Sequence, residues 1–280
     1  MESSTIHKSE INEIMKKLGL LCLLWLALCD FNVFAQYKYG TTGLLQMPTA
    51  DMQEDRTFMF GSGILSPEII PSKEWWGNYH TFNYYINITF FPWLEIGYNC
   101  VLVKGKEGIY HWPESTWGKF SNQDRTFHGR LRLWKEEWWK EWTPQIVVGL
   151  NDPASGSWEG GGSSNKYQYN GFFCRYYVAA SKHFGFQTIG NLGIHAAYVY
   201  NKRKDYPLDG PCIGANFRFN QPADNLWQKA LNGLNLMAEY DARTFNVGAS
   251  YSLWKEHINV IAELNDGKYF SGGIFFKVQL

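Results

Sequence analysis

From Thr81 to Phe90 the chain alternates without a break. Phe82, Tyr84, Ile86, Ile88 and Phe90 take one parity, and Thr81, Asn83, Tyr85, Asn87 and Thr89 take the other. Successive side chains of a strand point to opposite faces, so this run specifies a strand with one greasy face and one polar face. The pattern recurs near the end of the chain. Phe245, Val247, Ala249, Tyr251 and Leu253 oppose Asn246, Gly248, Ser250 and Ser252, and Phe270, Ile274, Phe276, Val278 and Leu280 oppose Ser271, Lys277 and Gln279. No amphipathic helical period runs for long after residue 35.

Twelve strands are predicted: Thr57–Leu65, Tyr79–Phe90, Trp93–Val103, Asp124–Lys135, Trp142–Asn151, Gln168–Ser181, Phe186–Asn201, Pro211–Asn220, Gly233–Asp241, Thr244–Trp254, His257–Asn265 and Lys268–Leu280. One helix-like stretch, Ala223–Leu231, interrupts them, with Asp224 as its candidate cap. Most segments exceed the roughly five or six residues usual in soluble sheets. They match the roughly nine to eleven residues that a tilted strand needs to cross a bilayer. Links after the first, third, fifth and seventh strands are long, while most of the intervening links are short. That asymmetry is the loop pattern of outer-membrane barrels. The expected fold class is therefore all-β: a transmembrane antiparallel β-barrel of about twelve strands with one short periplasmic helix.

Composition agrees. The 280 residues include 13 Trp, 17 Tyr and 19 Phe, and aromatics make up 18% of the chain. Many rings gather at the short turns: Phe90, Phe91 and Trp93; Trp134, Trp138, Trp139 and Trp142; Phe184 and Phe186; and Trp254. Rings filling a soluble core would sit mid-strand, whereas an interfacial girdle places them at strand ends. The 26 Lys+Arg balance 26 Asp+Glu, which argues against a nucleic-acid partner, since that requires a basic face.

Residues 15–29 hold two lysines and an apolar run too short to span a bilayer, followed by Val33-Phe34-Ala35. This is the layout of a secretory signal peptide. Residues 1–35 are thus expected to be cleaved, with Met1 or Met15 as the start. Leu26-Ala-Leu-Cys29 is a poor lipidation signal because Leu28 is bulky. Residues 36–56 form an N-terminal periplasmic segment and 57–280 the barrel. Cys100, Cys174 and Cys212 remain, an odd set without metal-ligand or disulfide spacing.

If the apolar parity faces lipid, the other faces the lumen. It carries Glu95, Arg130, Arg132, Arg175, Arg218, Glu239, Asp241, Glu263 and Lys277, together with Asn99 and His128. An Arg or Lys on the lipid face near mid-bilayer would cost about 2–4 kcal/mol, so this confinement defines orientation. These charges suit two roles. One is a polar passage or glycan-contacting surface, with the four arginines meeting acidic sugars or phosphate. The other is a self-paired filling of a narrow barrel. Trp75, Trp76, Tyr110, Trp112, Trp117 and Trp158 in the long loops suit sugar stacking or an interfacial position. No G-x-S-x-G elbow occurs, and Gly160-Gly-Gly162 lacks the lysine of a phosphate loop. His128 and His195 point inward with no ligand at metal spacing nearby in sequence, so they are expected to be structural. No catalytic residue, metal or cofactor is expected.

Two segments carry more than composition. Gly40-Thr-Thr-Gly43-Leu44-Leu45-Gln-Met-Pro48-Thr49-Ala50 precedes the first strand, and Ala238-Glu239-Tyr240-Asp241 is followed by Phe245-Asn246-Val-Gly248-Ala-Ser-Tyr251. Together they resemble the YjbH family of outer-membrane proteins, linked to exopolysaccharide and group 4 capsule production. Better-known members are much longer, with two barrels and further periplasmic parts, whereas this chain accommodates one. The resemblance implies a non-enzymatic barrel in the outer membrane of a Gram-negative bacterium, contacting lipid, polysaccharide and polysaccharide-export proteins. A general small-solute porin and a phospholipase-like barrel enzyme are the alternatives. Locally, Gly43 and Pro48 suit a tight segment entering or plugging the periplasmic mouth. Glu239 and Asp241, at the rim, are expected to pair with lumen arginines.

Overall fold

A computed structural model describes residues 38–70, 78–108, 113–153, 156–157, 160–161, 173–201, 209–222, 225–254 and 256–280. The signal-peptide region, Trp75, Trp76, Tyr110, Trp112 and Trp158 lie outside them.

Twelve antiparallel strands close into a barrel: β1 (Thr57–Leu65), β2 (Thr81–Phe91), β3 (Leu94–Lys104), β4 (Phe120–Trp134), β5 (Gln145–Asn151), β8 (Arg175–Phe186), β9 (Gly190–Tyr200), β10 (Gly210–Phe219), β11 (Leu234–Tyr240), β12 (Phe245–Leu253), β13 (Ile258–Asn265) and β14 (Tyr269–Gln279). Two-residue strands β6 (Gly156–Ser157) and β7 (Gly160–Gly161) pair in the β5–β8 link, so part of the glycine run is a ribbon. Every barrel strand pairs with its sequence neighbour, and β1 closes the ring onto β14, with Thr57 opposite Gln279 on one side and Thr89 on the other. Closure leaves no unpaired edge, which is the condition for a sheet to stand in hydrocarbon.

The period-two pattern becomes an inside and an outside. Phe82, Tyr84, Ile86, Ile194, Tyr198, Ile213, Leu236, Phe270 and Ile274 are exposed on the outer wall, while Asn83, Asn87, Glu95, Asn99, Arg130, Arg175, Glu239 and Glu263 are buried within. An outer wall of bare Phe, Tyr, Ile and Leu is unfavourable in water and favourable in lipid. The chain is a transmembrane β-barrel. The rings at one end complete it: Phe91, Trp93, Trp138, Trp139, Trp142, Phe186 and Trp254 all project outward, exposed, at the short-turn end. Phe91 stacks on Trp93 at 5.1 Å, and Trp134 leans on Trp138 at 5.0 Å.

Some boundaries differ from the sequence expectation. The sixth barrel strand runs on to Phe186, and its turn is 187–189, where the Ile189 N–H donates to the Phe186 carbonyl. Alternation continues through Phe184 and Phe186, so nothing stops the strand at Ser181. The expected helix start and cap, Ala223 and Asp224, lie outside the described residues, and the helix α1 (Leu226–Leu231) is capped by Asn225 in a reciprocal capping box with Gln228. Asparagine there satisfies an orphan N–H of the first turn. Leu226 and Trp227 of α1 are exposed.

Candidate functional site

The residues just ahead of β1 pack inside the barrel. Every residue from Lys38 to Asp51 is buried, with Leu44, Leu45 and Met47 fully so. A polar barrel interior offers no loose space to such a segment. Each buried backbone N–H and C=O of the segment needs a partner, and only the wall can supply it. Much of the inward-facing charge goes to this task.

A tight turn forms the head of the plug. Gly43 bridges to Pro48, and the Leu44 N–H donates to the Met47 carbonyl across 3.4 Å. The N–H groups of Leu45, Gln46 and Met47 then converge on one carboxylate, that of Glu239, at 3.0, 2.6 and 3.0 Å. Asn246 Nδ2 also donates to Glu239, at 3.2 Å. A concave run of N–H groups is a natural anion cradle, here filled by a side chain from a strand far along the chain. Gln46 is held twice more: its Nε2 donates to Glu263 at 2.8 Å, and its carbonyl accepts from Arg175 Nη1 at 2.8 Å. The Arg175 guanidinium lies 3.5 Å over the Tyr39 ring.

Either side of the turn, Glu95 and Arg130 form a fully buried ion pair at 3.0 Å. Glu95 also accepts from the Thr42 N–H at 2.9 Å and from Thr42 Oγ1 at 2.6 Å. Arg130 Nη2 donates to the Thr49 carbonyl, and to that of Asp51 at 2.9 Å. Asn87 donates to the Gly40 carbonyl at 3.0 Å, Asn99 to the Lys38 carbonyl at 3.0 Å, and Gln145 to the Ala50 carbonyl.

The expectation that Glu239 and Asp241 would pair with arginines is corrected. Glu239 holds the turn of the plug, and Asp241 accepts from the Arg243 and Thr244 N–H groups at 3.0 and 2.7 Å, capping its own hairpin. Arg132 and Arg218 are half-buried, and Arg218 pairs with Glu256. Lys277 is buried facing inward, and Tyr240 faces outward, exposed.

Glycines on the inner wall make sockets for the plug. A Cβ on Gly214 would lie 2.6 Å from Met47 Sδ and 2.7 Å from Leu44, and one on Gly248 would lie 2.7 Å from Leu45. Tyr251 lies against Gly233, whose Cβ would come within 3.0 Å of the Tyr251 ring. Gly40 combines a φ of +67° with a would-be Cβ 2.5 Å from that of Tyr85, so no other residue fits there. Gly248→Val and Gly214→Val are expected to lose about 1–3 kcal/mol by overpacking. They should also lower the temperature at which the folded band disappears in heat-modifiable gel mobility. Gly129→Ala is the control, because its nearest neighbour would lie at 3.9 Å.

The two motif segments thus meet: the turn at residues 43–48 seats on Glu239, Asn246 and Gly248. A family model described as "exopolysaccharide biosynthesis protein YbjH" (YjbH) matches residues 35–205, more than half of the chain. The chain belongs to the YjbH family. The matched range includes the whole plug, while its Glu239 seat lies beyond it. Within the family, the chain is 31% identical over 148 residues to an uncharacterized lipoprotein, YjbH, of Escherichia coli (strain K12), covering 49% of this chain and 18% of that protein. It therefore spans less than a fifth of that relative. Among solved structures a KdgM porin aligns with 80% of this chain and 99% of its own, at 9% identity and a TM-score of 0.41.

Sequence spacing missed one further cluster. Asp51, at the exit of the plug, meets His183 of β8 and His195 of β9. Beside them, Glu136 in the β4–β5 turn accepts from the His183 N–H and ring Nδ1, both at 2.7 Å. Partial burial raises the Glu136 carboxyl, but the hydrogen bonds from His183 and Lys182 outweigh it and hold the group at about 2. Glu136 is therefore an ionised acceptor for the His183 backbone N–H and ring Nδ1–H. No helix among the described residues is long and apolar enough to cross a membrane.

Proposed function

We propose that this chain is an outer-membrane barrel that assists secretion or surface assembly of an exopolysaccharide and does so without catalysing a reaction. Its membership of a family described by exopolysaccharide biosynthesis supports the substrate class. The observation that carries the choice against a general porin is the plug. Fully buried Leu44, Leu45 and Met47 occupy the space that a solute would need, and Glu95, Glu239, Arg130 and Arg175 are engaged by plug backbone rather than lining an aqueous path. On this reading the closed barrel is a resting state or a structural platform in the export assembly. Of the arginines that could meet an acidic glycan, Arg130 and Arg175 become available only when the plug moves.

The test is a pair of measurements. Purified barrel in planar bilayers is expected to show no steady conductance. Deletion in the host is expected to abolish surface exopolysaccharide while uptake of small hydrophilic solutes stays unchanged. Steady conductance of the unmodified protein, with altered solute uptake on deletion, would establish the porin instead.

A further inference from the structure

We propose that Asp51, His183 and His195 form a site for a divalent transition metal, of which zinc is the best fit, fastening the exit of the plug to the barrel wall. The three residues each offer one ligand atom, and those atoms all lie within 4.8 Å of one another. Asp51 Oδ1 is 3.3 Å from His183 Nε2, and Asp51 Oδ2 is 3.7 Å from His195 Nδ1. Ligands about 2.0–2.1 Å from a tetrahedral zinc stand roughly 3.3 Å apart, so the Asp51–His183 pair already has the spacing, and closing the remaining pairs from within 4.8 Å requires the side chains to draw in by up to roughly 1.5 Å.

The hydrogen bonds around the cluster set the tautomers that ligation requires. His183 donates its Nδ1–H to Glu136 at 2.7 Å, so in the neutral ring, the form that binds a metal, the Nε2 lone pair faces Asp51. A carboxylate behind a histidine is the usual outer partner of a metal ligand, orienting the ring and raising its basicity. His195 Nε2 lies 2.8 Å from Asn216 Oδ1 and donates to it, so the Nδ1 lone pair faces the plug side, where Ser181 Oγ lies at 2.8 Å and Asp51 Oδ2 at 3.7 Å. Ser181 Oγ, 2.8 Å from that Nδ1, also accepts from the Ala50 N–H at 2.8 Å. Metal binding exchanges the Ser181–His195 hydrogen bond for the metal–Nδ1 bond and requires the hydroxyl to move aside, while Ser181 Oγ can still accept from the Ala50 N–H.

The backbone explains why the histidines meet. His195 stands opposite Ser181 in the β8–β9 register and His183 is two residues further on, so both rings share the inner face and are diagonal neighbours. Their ring centroids are 5.7 Å apart. Asp51 is delivered by the plug, its carbonyl held by Arg130 at 2.9 Å and its Oδ2 3.2 Å from Thr49 Oγ1. His195 and Asp51 are buried, whereas the His183 side chain is 29% exposed. Water therefore reaches one side of the cluster and supplies the fourth ligand. A His2Asp-plus-water set suits zinc, with cobalt as its spectroscopic substitute.

The experiment uses the full barrel, refolded in detergent and stripped with chelator. Titration with zinc chloride is expected to give one site per chain. Cobalt chloride is expected to give the visible absorption of a four-coordinate ion, displaced by zinc. Asp51→Asn and His183→Gln should each abolish the cobalt spectrum, and Glu136→Gln should weaken zinc by about 10–100-fold. His80→Gln, outside the cluster, should change nothing. Heat-modifiable mobility of each variant verifies that the barrel has folded. Failure of unmodified, folded barrel to take up one zinc overturns the site and leaves a His183–Asp51 ion pair. Uptake undiminished in both Asp51→Asn and His183→Gln overturns it equally. Neither result bears on the exopolysaccharide role.

Discussion

Replacing Glu239 by alanine is expected to free the plug. Its carboxylate takes the N–H groups of Leu45, Gln46 and Met47 at 3.0, 2.6 and 3.0 Å. Asn246, its remaining donor, can at most follow the turn. Each buried donor left without an acceptor costs about 1–3 kcal/mol. The loss is therefore about 3 kcal/mol or more, concentrated on one turn. Barrel closure does not depend on that turn, because β11 keeps its pairing with both β10 and β12. The wall should survive while the plug opens. Single-channel recording is expected to show frequent openings in Glu239→Ala, where the native protein is closed. Glu239→Gln keeps one acceptor oxygen and should fall between them. A Glu239→Ala barrel that folds and stays as silent as the native one would mean that the turn is held by its apolar sockets alone.

The second large effect concerns Glu95 and Arg130. Both side chains are fully buried and 3.0 Å apart, so removing one strands the other charge where water cannot reach it. Breaking a buried pair in this way costs about 3–5 kcal/mol. Glu95→Gln and Arg130→Met should each lower the unfolding midpoint in urea accordingly. The double variant removes both charges, and it should be less destabilised than the sum of the singles by about 0.5–3 kcal/mol. Recovery will stay partial, because Glu95 also holds Thr42 and Arg130 the carbonyls of Thr49 and Asp51. Strict additivity of the two singles would show that the pair contributes only through its separate bonds to the plug. The comparison also separates wall from plug. Damage to the pair should appear as lost barrel stability together with a loosened plug, whereas damage at Glu239 should appear as conductance with the wall intact.

Much of this barrel was legible along the chain. Phe82 to Phe90 alternate because lipid and lumen demand opposite chemistry on adjacent residues, and each strand carries that demand locally. The interfacial rings are legible for the same reason, since Trp93 or Trp142 answers only to its own depth in the bilayer. The site was less so. His183 fell outside the sixth strand as bounded by sequence, which hid its inward parity beside His195. Asp51 stood ahead of the first strand, with nothing local to show what it would face. Glu239 was seen to point inward, but its partners, the N–H groups of residues 45–47, leave no mark in side-chain chemistry.

By itself, then, the sequence determined a closed transmembrane sheet: its strands, their parity, the end that bears the aromatic ring, and the two motifs of the family. Those properties follow from one residue meeting one solvent. Only the tertiary structure decided that the lumen is filled, that Glu239 closes it, and that Asp51 joins two histidines. Each of those depends on where a flexible segment returns through the interior, and the matching donors, sockets and ligand atoms come from strands that only barrel closure brings together.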